Sequence, residues 1–210
     1  MFDAGISSRS IENHLTAHQC NRLDVWHGFR GRITETFTVL RDKTTMPIPQ
    51  SLQTFWNAFD AATGAADITR FYEVCIFGDS EQLADELAAL VLSGVKRATA
   101  GSVWSYEAEG KRLPAPGDLS IVTNWAGQPL CVIETSSVVV LPFNQVSAEF
   151  AAIEGEGDGS LEFWRKAHRD YFERECHAAG KVFTEDMMIS CEQFRLVYQR
   201  SATNVAEFLL

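Results

Sequence analysis

Residues Leu90-Val91-Leu92-Ser93-Gly94-Val95-Lys96-Arg97-Ala98-Thr99 hold the reading on which the fold turns: an apolar helix stops at a glycine and hands the chain to a lysine and a threonine three residues apart. Leu83, Leu87, Leu90 and Val91 recur at the spacing of one helix face. Gly94 suits the left-handed position just past a helix C-terminus, where a side chain is penalised. Lys96 and Thr99 therefore leave a rigid element and enter a loop or a first strand residue. At such a handover the three-residue offset does not force opposite faces, as it would inside a regular strand, so amine and hydroxyl can converge. In a partly apolar pocket the charged form of a lysine is disfavoured, and a neutral amine can take a hydroxyl proton, which suits acyl transfer or amide hydrolysis. The same residues also read as a solvated basic turn, Lys96-Arg97, ahead of a strand.

Outward from this junction the periodicity defines the remaining elements. Upstream, Leu52, Phe55, Trp56 and Phe59 mark one face of a helix that stops near Gly64, and a second helix runs from about Ser80 to Ser93 with Asp79 and Gln82 as a capping pair. Downstream, Pro114-Ala115-Pro116-Gly117-Asp118 is a turn, and residues 119–124 and 129–140 are β-rich segments joined through Ala126-Gly127-Gln128 as a hairpin. A short helix is expected from Asn144, carrying Val146 and Phe150. The strongest helix covers residues 160–178, with Leu161, Trp164, His168, Tyr171 and Phe172 on one stripe and Gly180 as its stop. A last strand is expected over residues 188–198. Antiparallel strands with flanking helices predict an α+β fold, a small β-barrel or strongly bent sheet decorated by helices, and not a doubly wound one.

Composition sets the class. With 210 residues and 46% hydrophobic side chains the chain can bury a real core. Cys20, Cys75, Cys131, Cys176 and Cys191 are scattered without a Cys-x-x-Cys pair, which fits reduced thiols rather than a disulfide framework or a zinc site, so no structural metal is expected. No apolar run approaches the roughly 20 residues of a membrane span and no secretory signal pattern opens the chain, so the expected location is cytoplasmic. Residues 1–50 hold three of the five histidines, few periodic apolar positions, and end in Met46-Pro47-Ile48-Pro49. They read as a poorly structured N-terminal extension, with the main domain over residues 51–210. That domain carries 12 basic against 23 acidic side chains. Such a balance counts against long nucleic acid as the principal partner and leaves a small ligand free to bind.

Several residue types with chemical potential have bland readings as well. In Ala152-Ile153-Glu154-Gly155-Glu156-Gly157-Asp158, glycines interleave carboxylates and let the backbone approach a ligand closely. Glu154 is then a positioned acid or base at a helix end, or the run is an exposed turn; the spacing of a calcium loop is absent. His168 lies on an apolar stripe, where a histidine is more often a satisfied core residue than a catalyst. Cys176 and His177 are helix neighbours and project about 100° apart, so they do not form a pair. Trp104, Tyr106 and Trp125 either stack a base or fill the core.

Taken together, Phe77-Gly78-Asp79, the helix from Ala84 to Leu92, Gly94-x-Lys96-x-x-Thr99, Leu113-Pro114-x-x-Gly117-Asp118, Leu130-Cys131-Val132-Ile133-Glu134-Thr135, the run from Glu154 to Asp158 and Trp164-x-x-x-His168 resemble the ASCH-domain family over about residues 51–201. The family is related to the PUA domain, a small β-barrel with flanking helices, and the resemblance implies a nucleoside or RNA ligand. Its small bacterial N4-acetylcytidine amidohydrolases use the lysine and threonine of the Gly-x-Lys-x-x-Thr motif with a later glutamate. By position these fall on Lys96, Thr99 and Glu154, with Glu134 and Glu156 as further candidates for the carboxylate. The implied reaction is hydrolysis of the amide on the exocyclic nitrogen of N4-acylated cytosine or cytidine, with no metal or cofactor. Thr99 attacks the acyl carbon, Lys96 accepts its proton, and Glu154 protonates or orients the departing amine. Arg97, Trp104, Tyr106 and Glu134 are the expected substrate contacts. The alternative that the family implies is an RNA-binding module or single-strand-specific ribonuclease, for which Lys96, Arg97, Lys111 and Arg112 are the local cationic cluster.

Overall fold

A computed structural model describes residues 48–199; the expected extension over residues 1–50, apart from its last three residues, lies outside them, as does Cys20. The elements in chain order are α1 (Gln53–Thr63), β1 (Phe71–Cys75), α2 (Glu81–Leu92), β2 (Ala98–Ser102), α3 (Val103–Ala108), β3 (Leu119–Thr123), β4 (Pro129–Pro142), α4 (Ala148–Glu154), α5 (Leu161–Ala178) and β5 (Met188–Gln199). The five strands form one sheet in the order β1-β3-β4-β5-β2. The β1–β3 pair is parallel, and the β3–β4, β4–β5 and β5–β2 pairs are antiparallel.

The fold is α+β with helices around a mixed sheet, and the sheet is not a closed barrel. Its two ends, β1 and β2, pair with β3 and β5 and not with each other. Two long strands, β4 and β5, carry the bending: their ladder is interrupted between Val132 and Ile133 and between Thr135 and Ser137. Such irregularities increase local twist.

Alternation along the strands explains how both faces are covered. On β3, Leu119 and Ile121 pack with Phe55, Trp56 and Phe59 of α1, whereas Val122 packs with Leu87 and Val91 of α2. On β4, Val132 joins the α1 side and Cys131 and Ile133 the α2 side. A strand covered on both faces has no solvent side, and all five residues of β3 are buried. At the other end of the sheet, Ala98, Ala100, Ile189 and Cys191 pack against Phe150 of α4 and Trp164 and Phe172 of α5. Ile48, inside the stretch read as a boundary, is already buried against Leu52. Cys75, Cys131, Cys176 and Cys191 are free thiols, all buried. Among the described residues no helix is long and apolar enough to cross a membrane.

Local signals were followed closely in the helices and less so in the short strands. The α2 N-cap is Ser80, whose Oγ accepts from the Leu83 amide at 3.3 Å, and not Asp79, which pairs with Arg174 at 2.7 Å. Gln82 bonds to Glu86 instead. Asn144 lies in a single 3-10 turn, and the helix proper starts after Ser147, whose Oγ caps it through the Phe150 amide. Strand β1 and helix α3 carry no periodic signal of their own and are additions to the sequence reading. The parallel β1–β3 pair gives a mixed sheet where antiparallel structure was expected.

Candidate functional site

The helix-to-strand handover has the geometry its glycine predicted. Gly94 takes φ 74°, and the amides of Val95 and Lys96 both bond back to the Leu90 carbonyl. This fold-back turns the chain sharply and aims Lys96 inward: the residue is 1% exposed. On the facing side, α4 ends at Glu154 and Gly155 adopts φ 70°. A Cβ on Gly155 would sit 2.8 Å from the Val95 carbonyl oxygen, so only glycine lets the two turns approach this closely. The Arg97 amide then bonds to the Ile153 carbonyl at 3.0 Å and locks α4 to the start of β2.

This contact puts two carboxylates on one ammonium. Lys96 Nζ donates to Glu154 Oε1 at 3.1 Å and to Glu156 Oε1 at 2.6 Å. Glu154 is fully buried, and its second oxygen accepts from Trp164 Nε1 at 2.6 Å. His168, also fully buried, lies with Nε2 3.6 Å from Glu154 Oε1 and its ring stacked on Trp164 at 4.0 Å between centroids. His168 Nδ1 is 3.0 Å from the Trp164 carbonyl oxygen, a pure acceptor, which makes Nδ1 a protonated nitrogen. The Phe77 ring closes the other side of Lys96, with Nζ 5.2 Å from its centroid, and Phe77 stacks on Phe194 of β5.

The electrostatics reverse one expectation. Burial pushes the Lys96 ammonium down, but the charges of Glu154 and Glu156 and the hydrogen bonds they accept outweigh burial, and its pKa stands above the ordinary lysine value. Burial likewise pushes Glu154 up, yet the charges of Lys96 and then His168 hold it down at about 2. Lys96 is therefore an ammonium in the resting protein, not the neutral amine expected of an apolar pocket; the pocket is apolar only on its Phe77 side. Among the described residues no cluster of three or more His, Cys, Asp or Glu side chains is arranged to hold a metal ion.

Thr99 is 7% exposed, and its hydroxyl has no hydrogen-bond partner among the described residues. Lys96 donates to the two glutamates and not to Thr99. Ala98 and Ala100 pack toward α4 and α5, so alternation places Thr99 on the opposite face of β2. Directly across the ladder stands Glu192, paired with Thr99. Glu192 Oε1 accepts from Thr135 Oγ1 at 2.6 Å. Gly101, on the same face, lies under Tyr106: an added Cβ there would meet the Tyr106 ring at 3.1 Å.

The remaining expected contacts divide. Tyr106 is buried on α3 beside the Thr99 face, and Trp104, also on α3, lies under Lys181 Nζ at 5.2 Å. Glu134 is not brought to Lys96; it pairs with Arg70 at 2.9 Å and Arg195 at 2.7 Å. Of the four cations read as an RNA-facing cluster, Lys96 is held by Glu154 and Glu156, Lys111 pairs with Glu109 at 2.9 Å, and Arg112 forms a two-point pair with Asp118. Arg97 is exposed. Glu192 is absent from the sequence reading and Phe77 enters it only as part of a motif, because cross-strand register and a ring packed from a distant turn against Lys96 leave no local pattern. Trp164 and His168 were legible as one helix stripe, though not as the second layer of the Lys96–Glu154 pair.

With this geometry in view, the comparisons are specific. The model of the ASCH domain matches residues 73–198, and the chain belongs to that family. The solved ASCH domain from Lactobacillus crispatus is 40% identical, with 72% of this chain and 97% of that one covered and a TM-score of 0.67. A protein from Enterococcus faecalis is 31% identical, covering 71% of this chain and 90% of its own, with a TM-score of 0.63. No curated protein sequence matches the chain.

Proposed function

We propose that this ASCH-domain protein hydrolyses the amide of N4-acylated cytosine or cytidine to the free amine and a carboxylic acid. The observation that carries the reading is the buried contact of Lys96 with Glu154 and Glu156, far apart in the chain, three residues ahead of a Thr99 hydroxyl that no described group satisfies. A buried hydroxyl without a partner costs stability, and a substrate carbonyl seated against it recovers that loss.

The charged state of Lys96 gives the mechanism a definite proton path. As Thr99 Oγ1 bonds to the acyl carbon, its proton passes to Lys96 Nζ while Lys96 delivers one of its own protons to Glu156 across their 2.6 Å contact. When the carbon–nitrogen bond breaks, Lys96 protonates the departing cytosine nitrogen and recovers a proton from Glu156. Water then releases the acid from the Thr99 ester by the same relay. Glu154, with both oxygens engaged by protein groups, holds Lys96 in place. The RNA-binding or ribonuclease reading is the weaker one, because acidic neighbours already neutralise three of its four cations.

The test is incubation of the full chain with N4-acetylcytidine while the absorbance of the acylated base is followed. Loss of the acylated base that disappears in Thr99→Val supports the reading; undiminished turnover in Thr99→Val removes the mechanism. A rate that barely changes with added salt fits an uncharged nucleoside, and a steep fall points to a phosphate-bearing ligand.

A further inference from the structure

The face of the sheet that carries Thr99 is more polar than a sheet core requires. Along β5, Ser190, Glu192 and Phe194 alternate onto one side of a ladder that is regular from Ile189 to Gln193. Opposite them stand Gly101 and Thr99, so the four positions Thr99, Glu192, Gly101 and Ser190 form a two-by-two patch. Ser190 is 1% exposed and, like Thr99, has a hydroxyl with no hydrogen-bond partner among the described residues. Two buried, unsatisfied hydroxyls at diagonal positions of one patch call for partners, and a ligand seated there supplies them. The walls are aromatic: Phe77 stacked on Phe194 at one end, Tyr106 over Gly101 at the other. Aromatic rings at both ends of a polar patch suit a flat ring.

We propose that Glu192 is a substrate-positioning residue of this patch and accepts a hydrogen bond from the N–H of the amide being cleaved, so that the enzyme favours amides that carry an N–H over those that carry none. The inference rests on the amidohydrolase reading above. Two relationships place Glu192 in this role. Its Cα is the ladder partner of Thr99, and such pairs bring side chains about 5 Å apart on one face. An acyl carbon and its amide nitrogen are one bond apart, so a carbonyl carbon in reach of Thr99 puts the N–H in reach of the side chain opposite. Thr135 donates to Glu192 Oε1 at 2.6 Å, which fixes the carboxylate's orientation. A carboxylate offers only acceptors, and the group it selects must donate.

The experiment compares N4-acetylcytidine with its N4-methyl derivative, in which the amide N–H is gone, on the full chain and on Glu192→Ala, Glu192→Gln and Thr135→Val. The unaltered chain is expected to favour the N–H substrate. Glu192→Ala should lose roughly 10- to 100-fold in kcat/KM on that substrate, the effect of removing one hydrogen bond to a charged group, while its preference over the methylated amide collapses. Glu192→Gln, which keeps a carbonyl acceptor, should retain part of the preference, and Thr135→Val should fall between. Should Glu192→Ala fail to fold, Thr135→Val and Glu192→Gln carry the comparison, since a merely structural role does not change the ratio between two substrates. A preference unchanged in the variants overturns the assignment and leaves the amidohydrolase reading standing. Absence of turnover of either amide by the unaltered chain overturns both.

Discussion

Gly155 and Val95 meet backbone to backbone: a Cβ at Gly155 would lie 2.8 Å from the Val95 carbonyl oxygen. That approach sets Glu154 and Glu156 on either side of Gly155, both within hydrogen-bond reach of the lysine that follows Val95. The site is thus assembled by two turns that interlock, each one glycine wide, rather than by one motif.

Gly155→Ala tests this directly. A side chain at φ 70° costs about 1–2 kcal/mol by itself, and the clash with a backbone atom cannot be relieved by a rotamer change. Thermal unfolding should show a fall of at least that size, and hydrolysis of N4-acetylcytidine should drop further than the loss of folded protein explains. Gly94→Ala meets no neighbour within 4 Å. Its cost should be confined to the left-handed backbone.

Lys96 is the charge that makes Glu154 tolerable in the core. Lys96→Met should destabilise the fold by about 3–5 kcal/mol, the usual consequence of stripping the partner from a buried ion. Adding Glu154→Gln in the same chain should restore a large part of that loss. Urea denaturation of the two single variants and the double variant measures the coupling; additive effects would show that the pair does not interact.

The same pair fixes how stability responds to pH. Glu154 sits below its ordinary value of 4.5, at about 2. Its contribution is therefore complete above about 4.5 and is lost as pH falls toward 2. Lys96 is raised above 10.5, so its contribution is complete below that value and is lost as pH climbs past its raised value. Between these limits the pair adds a constant amount. Chemical denaturation across the acid limb should show a steep decline that is shallower in Glu154→Gln; equal slopes would remove the linkage.

Thr99 should trade stability against activity. Its hydroxyl is buried and bonded to nothing among the described residues, so Thr99→Val replaces an unsatisfied group with an apolar one of the same shape. The folded state should gain about 0.5–1 kcal/mol while turnover is lost. Thr99→Ser keeps a hydroxyl and should retain measurable hydrolysis. Unfolding midpoints and rates on the three proteins decide the matter together.

The sequence announced the helices and the long hairpin more plainly than the short strands. The stripe from Leu161 to Phe172 and the stops at Gly94 and Gly180 are local patterns, and α5 and α2 follow them. Strand β2, Ala-Thr-Ala-Gly-Ser, contains few good strand formers. It is a strand because β5 offers it a ladder and its alanines fit flat against α5, a tertiary cause with no local trace. Lys96, Thr99 and Glu154 were visible because chemistry-bearing residues stood beside helix-ending glycines. Glu192 was invisible because its relation to Thr99 depends on a register nearly a hundred residues away. The charged state of Lys96 was likewise beyond reach, since it follows from two acids that only the Gly155–Val95 contact brings to it.

The buried thiols offer one more use. Burial pushes both Cys131 and Cys191 up to about 12, with Glu154 adding to the second, so neither is a thiolate at neutral pH. They sit toward opposite ends of the longest ladder, Cys131 across from Gln199 and Cys191 across from Val139. An alkylating reagent reaches Cys131 when the α2 side of the sheet opens and Cys191 when the α4 and α5 side does. Labelling resolved by residue then reports whether the two coverings lift separately or together, with no mutation introduced.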